Sequence, residues 1–295
     1  MADETYNVIQ VCQKGFKAYL IGGFGADINE VEDAAWEICK KLHNFSERKR
    51  IHHYRDVESI VDTAGSLTEV PALIVLKIHK ILFHMPHCKN GITRIIFAHS
   101  HGAKIVRTAI GENSLYHYFV KHRLNESGVD FSNKLNRIKD NLAVFTLGGI
   151  DTIPKEYAKI CLNLRFIQDV KSKFGNKVYG GSSENSEIIK FHNGEVESQS
   201  RPSSESISGR LENFFQLKTL KTASTEGTKH LLFDYTRDSA ITRFIWKTLR
   251  LQGDSVPCGC TETTTKNEPE NMHWIKKHKN DEWVKICDPI YSQKP

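Results

Sequence analysis

Ile92-Thr93-Arg94-Ile95-Ile96-Phe97-Ala98-His99-Ser100-His101-Gly102-Ala103-Lys104-Ile105-Val106-Arg107-Thr108-Ala109-Ile110 is the stretch on which the fold is decided. Residues 92–97 are largely apolar and rich in β-branched side chains, which reads as a buried strand. Residues 103–110 repeat apolar positions at helical spacing. Between them lies Ala98-His99-Ser100-His101-Gly102, a serine with a small residue two positions to either side. At a sharp strand-to-helix turn that arrangement lifts the serine Oγ above the sheet and leaves the following amide free to meet a developing negative charge. Small residues are needed at the flanks because strand and helix nearly touch there. Ala98 and Gly102 meet that need, with alanine where the usual pattern has glycine.

Strand and helix patterns alternate on both sides of this turn. Upstream, residues 17–21 read as a strand stopped by Gly22-Gly23-Phe24-Gly25. A helix follows, opened by Asp27 and Glu30 in a capping-box-like pair and carrying Ile28, Val31, Ala35, Ile38 and Leu42. A short strand is expected at residues 50–55. A second helix begins near Pro71, a residue suited to a first helical turn, and Asn90-Gly91 makes the turn before the nucleophile strand. Downstream, residues 115–123 and 131–138 read as helices and residues 142–147 as a strand. Leu162, Leu164 and Phe166 alternate as a strand that ends at Asp169. The expectation is an α/β fold, a mostly parallel central sheet with helices on both faces.

Residues 180–209 depart from this rhythm. They are rich in Ser, Gly, Glu and Asn and read as an exposed, flexible insert or flap, with a short hairpin turning at Asn193-Gly194. A strand is expected at residues 214–217 and a last helix at 239–249. The main domain is placed at residues 1–253, and residues 254–295 read as a polar C-terminal tail.

Composition sets the remaining bounds. The chain has 295 residues, 39% of them apolar, which suits a soluble domain with a substantial core. Forty-one basic against 35 acidic residues give a net charge of +6, without the clustered Lys/Arg and interleaved aromatics of a nucleic-acid surface. The N-terminus shows no secretory signal pattern, and the longest apolar segment, residues 71–85, is too short and too charged to span a bilayer. Seven scattered cysteines then read as reduced thiols, and the location as cytoplasmic. Cys258 and Cys260 are one residue apart, unlike the usual zinc-ligand spacing, so no metal is assigned to them or to His273, His278 and Cys287.

Serine needs a base to take its proton and an acid to orient the base. Asp169, at the end of its strand, is the first choice for the acid, with Asp151 as rival. If the order is serine, acid, histidine, then His192, His230, His273 and His278 remain of 14 histidines. His230, in a loop before the last helix, is preferred over His192 beside its Asn-Gly turn. The oxyanion needs two amide donors: His101, after the nucleophile, and Gly23 or Phe24 in the Gly-rich loop. That loop lacks the Gly-Lys-Ser/Thr ending of a phosphate-binding loop.

The Gly22-to-Gly25 loop, the Ala98-to-Gly102 elbow, Asp169 and His230 together resemble the α/β-hydrolase superfamily, in its lipase and esterase-like branch. The resemblance spans roughly residues 17–250. It implies a serine hydrolase that cleaves carboxylic esters, small-molecule or lipid, through an acyl-serine, with no cofactor. The alternative is an inactive protein of the same fold used for interaction. A cap over the acyl pocket is expected from residues 113–140, with the 180–209 insert beside it.

Overall fold

The computed structural model describes residues 9–12, 15–48, 57–89, 91–123, 128–169, 171–173, 175, 185–192, 195–197 and 230–250. The expected strand at 214–217 and the tail at 254–295 lie outside the described residues, as do the candidate ligands Cys258, Cys260, His273, His278 and Cys287.

Nine strands are described: β1 (Ile9–Gln10), β2 (Lys17–Ile21), β3 (Val57–Ile60), β4 (Arg94–His99), β5 (Leu142–Leu147), β6 (Ile160–Phe166), β7 (Ile188–His192), β8 (Glu195–Glu197) and β9 (Leu249–Arg250). The main sheet runs β3-β2-β4-β5-β6-β7-β8. Its first six strands are parallel, and β8 returns antiparallel to β7. β1 and β9 form a separate parallel pair. Strands β4 and β5 are buried along their whole length, which is why their sequences are nearly continuous apolar runs rather than alternating ones.

Two helical layers cover the sheet. On one face lie α1 (Ile28–Arg48), α6 (Leu232–Arg237) and α7 (Ser239–Thr248). Val31, Ala35, Ile38 and Leu42 of α1 pack there with Leu232, Tyr235 and Ile241, against Leu20, Phe97, Phe145 and Leu164 of the sheet. On the other face lie α2 (Ala72–Phe83), α3 (Gly102–Ile110), α4 (Glu112–Arg123) and α5 (Gly128–Asn141), which bring Ile78, Val106, Leu115 and Ile138 against Ile21, Ile96 and Val144. This is a parallel α/β fold with helices on both faces. Each large apolar side chain buried in this way contributes about 1.5–3 kcal/mol.

The strand beside β2 is Val57–Ile60, and the short strand expected at residues 50–55 lies outside the described residues. Three expectations need correction. The described helices within residues 113–140 are not a separate cap: Leu115 and Phe119 of α4 and Leu135 and Ile138 of α5 belong to the same apolar layer as α2 and α3. The strand and hairpin expected within the 180–209 insert are present as β7 and β8, but β7 is part of the main sheet and not of an exposed flap. Ile189 and Phe191 of β7 are fully buried, and β7 pairs with β6 from Asn163↔Ile188 to Phe166↔Phe191. Last, the thiols are not all reduced. Cys39 is disulfide-bonded, while Cys12, Cys88 and Cys161 are buried thiols outside any disulfide. The cysteines therefore carry no argument for a reducing compartment. Among the described residues no helix is long and apolar enough to cross a membrane.

Candidate active site

The strand order reverses at β2. From β2 the chain crosses outward to β3 and returns to β4 on the other side, so the connections leaving β2 and β4 diverge. In parallel sheets a crevice opens at such a point, beyond the carboxyl ends of the strands. The loop after β2 is Gly22-Gly23-Phe24-Gly25, and the turn after β4 is Ser100.

Ser100 has φ +49°, and it is the only described non-glycine residue with positive φ. The turn is held on both sides. Ser100 N–H donates to the Leu147 carbonyl at 3.2 Å, and its own carbonyl accepts from Ile150 N–H at 3.0 Å and Ala103 N–H at 3.2 Å. A β-carbon on Gly102 would stand 2.7 Å from the Gly22 carbonyl oxygen and 2.9 Å from that of Ile21. Those are backbone atoms of the neighbouring strand and cannot swing aside, so α3 starts this close to β2 only with glycine at 102. Ala98 is fully buried, and its methyl group fits where the small residue was required.

Ser100 Oγ lies 3.0 Å from His230 Nε2. His230 Nδ1 lies 2.8 and 2.9 Å from the two oxygens of Asp169. A carboxylate only accepts, so Nδ1 carries the proton and donates it to Asp169. Nε2 is left to accept from the serine hydroxyl. Asp169 is wholly buried and also accepts from Ser172 N–H at 2.8 Å and from the Tyr235 hydroxyl at 2.5 Å. Burial, and then the Asp169 charge, raise the Tyr235 pKa well above its ordinary value, which keeps this hydroxyl a donor. Leu231 N–H donates to Asp234 Oδ2 at 2.9 Å and fixes the turn after His230.

The rival residues sit elsewhere. Asp151 pairs with the Arg107 guanidinium and accepts from Thr152 N–H. Burial raises its pKa against the opposing pull of Arg107. His192 ends β7, exposed, beside Gln168 at 3.5 Å.

The Gly-rich loop leans on the elbow. A β-carbon on Gly23 would come 2.8 Å from Ser100 Cβ and 2.9 Å from His99 Nδ1. Among the described residues no acceptor takes the amide protons of Gly23, Phe24 or His101. Three unspent donors thus border the serine, the composition an oxyanion site needs.

Sequence reasoning missed three residues here: Tyr235, Asp62 and the imidazole of His99. His99 Nε2 stands 2.8 Å from the carbonyl oxygen of His230. Burial, and then the neighbouring His230, lower its pKa to about 3. Asp62, just past β3, lies 2.6 Å from His101 Nδ1, with both side chains fully buried. The available signal was the two histidines flanking the serine. No group of three or more His, Cys, Asp or Glu among the described residues is placed to share a metal ion. Comparison with protein-family models, with curated proteins and with solved structures returns no match.

Proposed function

We propose that this chain is a serine hydrolase that cleaves carboxylic esters, small-molecule or lipid, through an acyl-serine intermediate on Ser100. The observation that carries the reading is the unbroken line from Ser100 Oγ to His230 Nε2 to the Asp169 carboxylate, with links of 3.0 and 2.8 Å. The order of parts along the chain, the strained elbow and the position at the sheet's switch point support an α/β-hydrolase of the esterase or lipase-like kind. The convergence of acid and base on Ser100 favours an enzyme over an interaction module of the same fold.

The chemistry follows from the geometry. His230 Nε2 takes the Ser100 proton as Oγ bonds to the ester carbonyl carbon. The carbonyl π electrons move to oxygen, and that oxyanion accepts from His101 N–H and from Gly23 or Phe24 N–H. When the tetrahedral adduct collapses, the C–O bond to the alcohol breaks and His230 gives the alcohol its proton. Water then repeats the sequence on the acyl-serine, releasing the carboxylic acid and restoring Ser100. Asp169 keeps the His230 ring in the required tautomer throughout, and Tyr235 and Ser172 hold Asp169.

The test is turnover of p-nitrophenyl esters of graded chain length. The intact chain is expected to hydrolyse at least one of them, and His230→Ala to lose about a thousandfold or more in kcat/KM. Equal turnover by intact chain and variant would remove His230 from the mechanism.

A further inference from the structure

The proposed chemistry uses the amide of His101 and leaves two buried imidazoles unexplained. They flank the nucleophile in sequence, and each reaches a different half of the machinery. We propose that His99 and His101 are positioning residues, His99 for the base and His101, through Asp62, for the oxyanion amide. This rests on the hydrolase reading and deepens it.

His99 closes β4, and its side chain lies between the base and the Gly-rich loop. A carbonyl oxygen only accepts, so the 2.8 Å contact to the His230 carbonyl puts the His99 proton on Nε2. Nδ1 is then a lone pair. It is buried without a hydrogen-bond partner and faces Gly23. The His99 ring is also tilted against the rings of His230 and Tyr235, with centroids 5.3 and 6.1 Å away. The residue before the nucleophile is thereby tied to the backbone of the base. Ser100 and His230 are 130 positions apart in sequence, and this bond joins their segments one residue away from the reacting pair.

His101 does the corresponding work on the other side. Its Nδ1–H donates to Asp62 Oδ2 at 2.6 Å, and Asp62 Oδ1 accepts from Ala64 N–H at 2.9 Å. The Phe24 ring meets the His101 ring edge-on, with centroids 6.3 Å apart. His101 is wholly buried and its Nε2 has no partner. A ring held on one nitrogen by a buried carboxylate and on one side by Phe24 has one orientation available. That fixes the torsion of the residue whose amide follows Ser100. Phe24 supplies a second proposed donor, so the same contact sets the spacing between the two sources of oxyanion amides. Oxyanion donors act only when held ready at the right distance.

The tautomers can be read in the unmodified chain. In a sample labelled with 15N-histidine, long-range 1H–15N correlations are expected to show the proton on Nε2 of His99 and on Nδ1 of His101. The reverse at either ring overturns the proposal whatever the activity, and this measurement needs no variant to fold. Two substitutions then read function, with folding checked by circular dichroism. His99→Leu, which removes the donor, is expected to lower kcat about 10–100-fold with KM within about threefold, the scale of a misplaced reacting group. His99→Gln, which returns an N–H near the Nε2 position, is expected to recover about tenfold of that loss. Asp62→Asn can serve only one of the two N–H donors as acceptor. It is expected to weaken kcat/KM and the affinity for a trifluoromethyl ketone, which forms a tetrahedral oxyanion on the serine, by the same factor of about ten or more. Unchanged kcat in His99→Leu, no recovery in His99→Gln, or unchanged ketone affinity in Asp62→Asn overturns the proposal. Failure of the intact chain to acylate at Ser100 is a different result: it overturns the hydrolase reading, and this inference with it.

Discussion

Ser100 holds a backbone conformation that a side chain with a β-carbon adopts at a cost of about 1–2 kcal/mol. The cost is tolerated because the Leu147 carbonyl and the Ile150 amide grip the residue from β5 and its following loop. If the strain is present for the sake of Oγ, removing the hydroxyl while keeping the β-carbon should be the worse exchange. Ser100→Gly is expected to be more stable than Ser100→Ala by about 0.5–1 kcal/mol, even after glycine's entropic cost. Thermal denaturation of the two variants decides it, and an alanine variant of equal or greater stability counts against a strained elbow. Tyr235 is the other residue whose role can be isolated. Tyr235→Phe leaves Asp169 with His230 and Ser172 as donors but takes away its 2.5 Å bond. A hydrogen bond to a charged group contributes about 1.5–3 kcal/mol, so loss of stability on that scale is expected in chemical denaturation, with a roughly tenfold fall in kcat in ester assays.

At the scale of elements, the site depends on how closely α3 approaches β2. Gly102→Ala would place a methyl group against the Gly22 and Ile21 carbonyls. Overpacking against fixed backbone costs about 1–3 kcal/mol. A lower melting temperature is expected, together with slower reaction of Ser100 as the elbow is pushed from the Gly23 loop. Wild-type behaviour in both would mean that the two backbones are not in contact. The elements that made this site legible are those whose sequence and contacts coincide. The bounds of β2 and β5 match the apolar runs at 17–21 and 142–147, and the glycine and small-residue spacing of the elbow is local. What stayed hidden depends on distant partners. Asp62 is 39 residues from His101, and Tyr235 is 66 from Asp169. Neither leaves a mark in periodicity, because a buried polar contact is chosen by the fold and not by its neighbours in the chain. β7 was legible as an arm of the hairpin expected at Asn193-Gly194, but its burial was not, because that depends on β6 alongside it and its polar flanks show none of it.

At the scale of the whole molecule, one sheet places three connections in a single crevice: the loop after β2, the turn after β4 and the end of β6. The helical layer of α1, α6 and α7 closes the arrangement from one side. Lys41 of α1 donates to the Thr236 carbonyl and, at 2.9 Å, to Thr242 Oγ1, which ties α1 to the helices next to His230. Burial of the site also sets the response to acid. The pKa of His99 is near 3 in the folded chain, against an ordinary value of about 6.5. Between those values the unfolded chain binds the extra proton and the folded chain does not, so stability rises with pH across that window and is lost as pH falls. Up to about 4–5 kcal/mol is at stake by pH 3. Denaturation measured from pH 7 to pH 4 is expected to show falling stability, with a shallower slope in His99→Gln. Equal slopes would mean that His99 titrates normally in the fold.

The central claim is that Ser100 is a nucleophile activated by His230. Its most direct test is covalent labelling of the intact chain by a fluorophosphonate, in which Ser100 Oγ displaces fluoride from phosphorus. The expected result is a single adduct, located on Ser100 by peptide mass spectrometry, absent from Ser100→Ala and strongly slowed in His230→Ala. No adduct on the native chain, or equal labelling of Ser100→Ala, would contradict the account.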